Sequence, residues 1–254
     1  MKNVLVTVCG RAGSKGFHNK NLKTFYEHPM VYYTLSAAEL FARACPQLTV
    51  DVCLNTDSPE LAELVAAKYP EVTFLPRGEE LAGDTVPKEA VYQDCLVRME
   101  AKNQKRYDCL IDLDITSPLR QAFDLVRAMQ MFEAEPGLDL VMSAAPSRRN
   151  PYFNMGQLNA QGYACRIIEN NNTTRQQAPV CYDINASLYI FSRAFVLGEG
   201  AKDLWKGKVK IYEMYDTGIL DIDCEEDYRL LEVIARYLYD NVEGFAAVRR
   251  NIRG

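Results

Sequence analysis

The sequence lacks the residue clusters that define several protein classes. Its eight cysteines are scattered, without a Cys-x-x-Cys pair and away from its two histidines, His18 and His28. Zinc sites and small disulfide scaffolds need such clusters, so we expect buried, reduced thiols in a cytoplasmic protein. No apolar run approaches the roughly 18 residues that a membrane helix requires, so we expect no membrane partner.

An excess of basic residues is also missing. Lysine and arginine number 29 against 34 aspartates and glutamates, which gives a formal net charge of -5. Proteins that coat nucleic acid normally show a basic face, so nucleic acid is excluded as a partner and any bound anion must be held locally. Residues 1–8 lead directly into a glycine-rich loop, which favours a first strand over a signal peptide.

The chain alternates strand, loop and helix patterns, which predicts an α/β fold with a mostly parallel sheet. The predicted strands cover 1–8, 49–54, 72–75, 109–114, 138–143, 186–191 and 208–212. The predicted helices cover 29–45, 58–68, 85–99, 123–133 and 225–239. We expect one domain over 1–254, with frayed last residues. The polar, Asn-rich stretch at about 145–182 predicts an excursion from the sheet.

The loop at 9–16 is the strongest chemical signal. Glycines such as Gly13 let backbone N–H groups converge on phosphate oxygens, and cations neutralise the charge. The nearby polar and charged residues are Arg11, Ser14, Lys15, Lys20 and Asn21. The loop therefore predicts a triphosphate site, although a tight turn with solvated basic residues remains an alternative.

Carboxylates at two strand ends predict a cation site. Asp221 and Asp223 are expected to end a short strand, where residues i and i+2 share a face and can hold Mg²⁺ or another divalent cation. Asp112 and Asp114 repeat this spacing before a turn containing Thr116 and Ser117, which could bind a sugar or ribose. Helix capping is the alternative for both pairs.

Isolated arginines suggest further contacts. Arg77, followed by Asp84, could reach a base or phosphate, and Arg175 could bind a substrate carboxylate through bidentate hydrogen bonds. Arg77 could equally be a solvated surface arginine, and Arg175 could equally be an interface arginine.

Five ordered motifs resemble the CMP-N-acylneuraminate (sialic acid) synthetases and their CMP-Kdo relatives. The first, from Arg11 to Asn21, reads R-x-G-S-K-G-x-x-x-K-N. Thr116 to Arg120 is similar to the family's Q-P-T-S-P-L-R, and Arg77 to Asp84 to its R-x-x-x-L-x-x-D. The segment 175–190 is similar to R-Q-x-x-P…N-G-A-I-Y-I, and 221–227 to D-I-D-x-x-x-D. Nearly the whole chain is covered.

The resemblance implies a Rossmann-like three-layer sandwich of the nucleotide-diphospho-sugar transferase type, with a dimerisation and substrate-lid insertion at about 145–182 and a homodimeric state. It implies the reaction CTP plus an acidic nonulosonic sugar giving CMP-sugar and pyrophosphate. The implied nucleotide-binding residues are Arg11, Gly13, Ser14, Lys15, Lys20, Asn21, Arg77 and Asp84. The implied sugar-binding residues are Asp114, Thr116, Ser117, Arg175, Gln176, Asn185 and Tyr189. Asp221 and Asp223 would bind Mg²⁺, and Lys20, Arg11 and Asp223 would act in catalysis.

The sequence departs from the family at two places. Asp114 stands where the family has Gln, which makes it a further candidate metal ligand, and Gly10 and Ala12 stand where relatives usually have Ala and Gly. Several motifs, including 111–114 and 149–154, resemble a bacterial branch that activates legionaminic-acid-like sugars.

Other reactions remain open at this stage. A nucleotidyltransferase for sugar 1-phosphates would share the loop chemistry, and a CMP-Kdo or CMP-pseudaminate synthetase would share most motifs. A non-catalytic nucleotide-binding module would have little need of the carboxylate pair. A general base could be a metal-held water or a carboxylate such as Asp114.

Overall fold

A computed structural model describes residues 1–13, 17, 19–83, 85–199, 203–217 and 222–253. The strands in this part of the chain are β1 (Lys2–Cys9), β2 (Thr24–Phe25), β3 (His28–Pro29), β4 (Leu48–Thr56), β5 (Thr73–Pro76), β6 (Cys109–Leu113), β7 (Leu140–Pro146), β8 (Gly156–Leu158), β9 (Ala164–Arg166), β10 (Tyr182–Ser192) and β11 (Val209–Glu213). The helices are α1 (Met30–Ala44), α2 (Pro59–Lys68), α3 (Glu79–Ala82), α4 (Lys88–Asn103), α5 (Ala122–Ala134), α6 (Arg193–Val196), α7 (Glu225–Asn241) and α8 (Glu243–Arg250).

Within the described residues, the central sheet has seven strands in the order β11-β7-β10-β6-β1-β4-β5. Strands β5, β4, β1 and β6 pair in parallel, and so do β7 and β11. Strand β10 runs antiparallel between β6 and β7. The sheet is therefore mostly parallel, and the loops after β1, β4, β5 and β6 meet along one edge.

Alternating side chains divide the core into two layers, one on each face of the sheet. Val4 and Val6 of β1 pack in a cluster that includes residues of α1 and α5. Leu5 lies on the opposite face, in a cluster that includes residues of α4 and α6. Because successive residues of a strand point to opposite faces, this alternation makes a three-layer sandwich. The predicted fold class is confirmed.

Local sequence signals place several helix ends. Ser58 accepts a hydrogen bond from the backbone N–H of Leu61 at 3.2 Å, and Pro59 occupies the first turn of α2, as the pattern predicts. Helix α4 differs from its prediction because it begins at Lys88 and continues to Asn103, beyond the predicted range 85–99.

One sequence prediction about the C-terminal part is wrong. The last residues are not frayed, because α8 buries Phe245 and Val248, each 1% exposed. Ile222 and Asp223 themselves belong to no strand, and residues 218–221, where the predicted short strand would run, lie outside the described residues. The strand-end prediction for Asp221 and Asp223 therefore stays a prediction.

The prediction that the cysteine thiols are buried is confirmed for only some of them. Four of the eight thiols are buried, whereas Cys9, Cys165, Cys181 and Cys224 are partly exposed, and none forms a disulfide.

The stretch between β7 and β10 leaves the central sheet, as its composition suggests. It contains the separate two-stranded hairpin of β8 and β9 and the 3₁₀ turn Arg175–Gln177. Among the described residues, no helix is long and apolar enough to cross a membrane.

Candidate active site

A cavity of about 460 Å³ opens where the loops after β1, β5 and β6 meet. Seven of the sequence-predicted site residues lie on its wall. They are Arg11, Lys20, Asn21, Arg77, Asp114, Thr116 and Asp223. Ligands of open α/β sheets bind at the carboxyl ends of the strands, so both the location and the lining fit a binding site.

Hydrogen bonds to the end of β4 and the residues that follow it fix the loop after β1. The N–H of Gly10 donates to the carbonyl oxygen of Asn55 at 3.1 Å, and the N–H of Ala12 donates to the Asp57 carboxylate at 2.7 Å. A Cβ on Gly10 would come within 2.8 Å of Ile115. The small residue is therefore required by close packing, and Gly13 with φ 73° is suited to its left-handed backbone.

Asn21 and Lys20 close one end of this loop. The Asn21 amide donates to the carbonyl oxygen of Arg11 at 3.1 Å. The Lys20 ammonium donates to the Ile222 carbonyl oxygen at 2.9 Å and lies 3.3 Å from the Asp223 carboxylate. Asp223 is 79% exposed, so its long contact with Lys20 costs little to break.

Arg77 is fixed by the end of β4. Its Nε donates to the buried side chain of Asn55 at 2.6 Å, and its Nη2 donates to the carbonyl oxygen of the same residue at 3.2 Å. The backbone N–H of Arg77 continues the pairing with Thr56 at 3.0 Å. The guanidinium group therefore has a defined position on the cavity wall.

Asp114 forms a much tighter ion pair than Asp223. Its Oδ2 lies 2.6 Å from the Lys88 ammonium, and its Oδ1 accepts hydrogen bonds from the backbone N–H and hydroxyl of Thr116 at 3.0 and 2.8 Å. Burial opposes ionisation of Asp114, but Lys88 and Thr116 outweigh it and hold the pKa of this carboxyl well below its usual range. Such a carboxylate is a weak base.

Cys9 lines the cavity, and Asp112 is buried against the lining residue Tyr92. Contact with Cys95 and burial raise the pKa of the Cys9 thiol well above its usual value, so Cys9 is not an activated nucleophile. Asp112 is buried and accepts hydrogen bonds from Thr7 and Tyr92 at 2.8 Å each. Burial raises the pKa of Asp112, and its partners place it beneath the site as a structural group.

Ala186 contributes an unusual backbone conformation to the wall. It has φ 49°, in the left-handed region, and lies where the register between β7 and β10 shifts. The corresponding position of the family motif is Gly, which adopts this conformation without strain. The methyl group of Ala186 therefore occupies space at the cavity that a glycine would leave open.

Several predicted sugar-binding residues lie elsewhere. Ser117 and Asn185 line a separate cavity of about 10 Å³, and Asn185 is buried, with its amide oxygen accepting from the Ser143 hydroxyl at 2.5 Å. Tyr189 is partly buried against the core and stacks on Phe191, with the two ring centroids 5.8 Å apart.

Arg175 and Gln176 lie in the exposed turn of the excursion, where Arg175 donates to the Ser147 carbonyl oxygen at 3.1 Å. The predicted residues Ser14, Lys15, Asp84 and Asp221 lie outside the described residues.

Lys88 and Tyr92 are site residues that sequence reasoning missed. Both are on α4, at its beginning and one turn later, and both line the cavity. No motif marked them. The helical pattern of this segment indicated only a packed helix, and the ion pair of Lys88 with Asp114 spans 26 positions of sequence.

The donor chemistry of the wall fits a divalent cation. Asp223 and Asp114 supply carboxylate oxygens on one cavity, and Mg²⁺ commonly takes one or two carboxylates together with substrate phosphates. The described residues include no group of three His, Cys, Asp or Glu side chains able to hold a metal alone. Phosphate oxygens would therefore complete the coordination.

Comparison with known proteins agrees with this geometry. The chain is 35% identical over 236 residues to the post-translational flagellin modification protein B of Campylobacter coli, covering 93% of this chain and 96% of that one. It is 36% identical over 234 residues to the CMP-N,N'-diacetyllegionaminic acid synthase of Campylobacter jejuni, covering 92% and 95%.

A CMP:2-keto-3-deoxy-manno-octonic acid synthetase solved with CTP has the same fold, with a TM-score of 0.66 at 15% identity over 93% of this chain and 99% of that one. The sequence pattern of the cytidylyltransferases matches residues 5–242. A match over nearly the whole chain, with a cation-lined cavity at the expected edge of the sheet, shows that the protein belongs to the cytidylyltransferase family.

Proposed function

We propose that the protein couples CTP to an acidic nonulosonic sugar of the sialic or legionaminic type, giving the CMP-sugar and pyrophosphate. The observation that carries this proposal is the cavity, in which Arg11, Lys20 and Arg77 present cations beside Asp114 and Thr116. The similarity to a CMP-N,N'-diacetyllegionaminic acid synthase supports the sugar class.

In the proposed reaction the anomeric hydroxyl oxygen of the sugar attacks the α-phosphorus of CTP. The new P–O bond forms as the bond between the α-phosphorus and the oxygen that bridges it to the β-phosphorus breaks. This oxygen leaves as part of pyrophosphate, and the hydroxyl proton passes to water. Lys20 and Arg11 stabilise the charge that develops on the phosphoryl oxygens. Lys20 is preorganised for this role because the Ile222 carbonyl oxygen already holds its ammonium group.

Asp223, together with Asp221, is proposed to hold Mg²⁺, which would neutralise charge on the triphosphate and the departing pyrophosphate. The exposed carboxylate of Asp223 supports this role, because its ion pair with Lys20 in the described part of the chain is long, at 3.3 Å, and is readily exchanged. Asp114 is a weaker candidate ligand, since binding a metal would compete with Lys88 and Thr116.

The nucleotide contacts are proposed to come from the loop and its surroundings: Arg11, Gly13, Ser14, Lys15, Lys20, Asn21, Arg77 and Asp84. Thr116 and Asp114 are proposed to face the sugar. Asn185 and Ser117 are proposed to support that wall indirectly, because they line the adjoining small cavity.

We also propose a homodimer that uses the excursion between β7 and β10. Its hairpin exposes Leu158 and Tyr163, each 73% exposed, and Val180 beyond it is 75% exposed. Arg175, Gln176 and Tyr189 would contribute to the sugar site only in such an assembly or after closure. Eight free cysteines support a reducing, cytoplasmic location.

The proposed function is tested by pyrophosphate release. CTP, UTP, ATP and GTP are each combined with sialic, legionaminic, pseudaminic and Kdo acids and with a sugar 1-phosphate. We expect turnover with CTP and a nonulosonic acid. Turnover only with a sugar 1-phosphate, or CTP binding without pyrophosphate release, contradicts the proposal.

The metal proposal has its own test. Asp223→Asn should lower Mg²⁺-dependent turnover by roughly 10²-fold or more, in the range seen when one charge-stabilising group is removed. Glu225→Gln, two residues away on an exposed side chain, is the matched control and should leave the rate unchanged. Full turnover of Asp223→Asn, with the Mg²⁺ dependence of the wild type, contradicts the assignment.

A further inference from the structure

Two lysine–aspartate pairs among the described residues face the cavity, and they differ in strength. Lys20 and Asp223 are 3.3 Å apart, and Asp223 is 79% exposed. Lys88 and Asp114 are 2.6 Å apart, and Asp114 is only 13% exposed. The first pair can exchange partners readily. The second is held by additional hydrogen bonds from Thr116 and stays together.

In the Lys88 pair the lysine is the more available member. Its side chain is 52% exposed on the cavity, and within the described residues Asp114 is its hydrogen-bond partner. An ammonium group has three N–H donors, so two remain for a ligand. Asp114 fixes the position of this cation in advance, which lowers the ordering cost of binding.

The charge of the pair indicates which ligand group it suits. Lys88 and Asp114 together carry no net charge, and the carboxylate of Asp114 repels a polyanion such as a triphosphate more strongly than it repels a single carboxylate. Arg11 and Lys20, on the loop after β1 and the turn that follows, supply cations for the phosphates. Lys88 instead adjoins Asp114 and Thr116, on the side proposed for the sugar.

We propose that Lys88, positioned by Asp114, binds the carboxylate of the acidic sugar and thereby selects sugar acids over neutral sugars. This inference rests on the proposed function. It assigns the substrate carboxylate to a lysine on α4 that belongs to none of the sequence motifs, and it gives Asp114 a positioning role.

The test compares Lys88→Met with the wild type in pyrophosphate release at saturating CTP. The sugar acid and its neutral C1 amide are each varied, and CTP affinity is measured by calorimetry. Loss of a hydrogen bond to a charged group should raise KM for the acid roughly 10- to 100-fold. Turnover of the amide and the dissociation constant for CTP should change less than about twofold, because the amide has no charge to pair with Lys88 and CTP is held by other cations.

Two further variants keep the test decisive. Lys2→Met removes a lysine of similar exposure, paired with Glu133 at 3.0 Å away from the cavity, and should match the wild type. Asp114→Asn should raise KM for the acid less than Lys88→Met does, because the cation remains but is less well placed. Circular dichroism of each variant verifies that it is folded, and Lys88→Gln replaces the methionine variant if that protein does not fold.

Three results would overturn the assignment. A loss of CTP affinity with an unchanged KM for the sugar acid would place Lys88 at the phosphates. An unchanged preference for acid over amide would exclude a carboxylate contact. If the wild type releases no pyrophosphate with any sugar acid, the proposed function fails and the Lys88 assignment fails with it.

Discussion

Arg120 is a buried cation beneath the site, and its removal should destabilise the fold. The side chain is 0% exposed. Its Nε donates to the Ser187 hydroxyl and its Nη1 to the Thr34 hydroxyl, each at 3.1 Å, and its Nη2 donates to the carbonyl oxygen of Asp114. The guanidinium group therefore ties β10 and α1 to the turn that carries Asp114.

The expected cost of Arg120→Met follows from these contacts. Hydrogen bonds from a charged donor contribute about 1.5–3 kcal/mol each. Burying a charged group carries a desolvation penalty on the order of several kcal/mol, and the methionine variant no longer has this penalty, which offsets part of the loss. Thr34 keeps its own bond to the Asp114 carbonyl oxygen at 3.2 Å. We expect a net loss of about 2–4 kcal/mol in the free energy of unfolding.

Urea unfolding followed by circular dichroism measures this loss. Arg229→Met is the control, because Arg229 is 74% exposed and pairs with Glu225 within one turn of α7, which is worth about 0.3–0.5 kcal/mol. An Arg120→Met protein within about 1 kcal/mol of the wild type would refute the reasoning, since that is the size of an ordinary neutral hydrogen bond.

Two further stability predictions concern other parts of the fold. Phe245→Ala should lower the free energy of unfolding by about 3–5 kcal/mol, because the ring is 1% exposed. Chemical unfolding measures this loss, and Tyr237→Ala, at an exposed ring, is the control. A loss under about 1 kcal/mol would show that α8 is dispensable for stability. Glu100→Gln should cost roughly 1.5–3 kcal/mol at neutral pH, because Arg193 donates to both carboxylate oxygens, at 2.9 and 3.1 Å. The Arg193 hydrogen bonds lower the pKa of Glu100 below its ordinary 4.5, so this stabilisation is present above that pH and is lost as the pH falls through the folded-state pKa. Unfolding curves from pH 7 to pH 3 should therefore converge for wild type and variant, and a constant difference would contradict the ion pair.

Much of the fold was predictable because its signals are local. Alternating and helical spacing located the main strands and helices, and Ser58 with Pro59 marked the start of α2. Short elements carry too little pattern to detect, so the hairpin of β8 and β9 was missed. The end of the chain was misjudged because α8 is stabilised by tertiary burial of Phe245 rather than by its own sequence.

The sequence alone determined the family, the α/β class and the chemistry of the loop at 9–16, because five motifs and their order are properties of the chain itself. Only the tertiary structure decided which charged groups meet. It paired Asp114 with Lys88 and left Asp223 exposed, and it buried Asn185 against Ser143. Such pairings depend on how strands and helices pack over long sequence separations, and no local pattern encodes them.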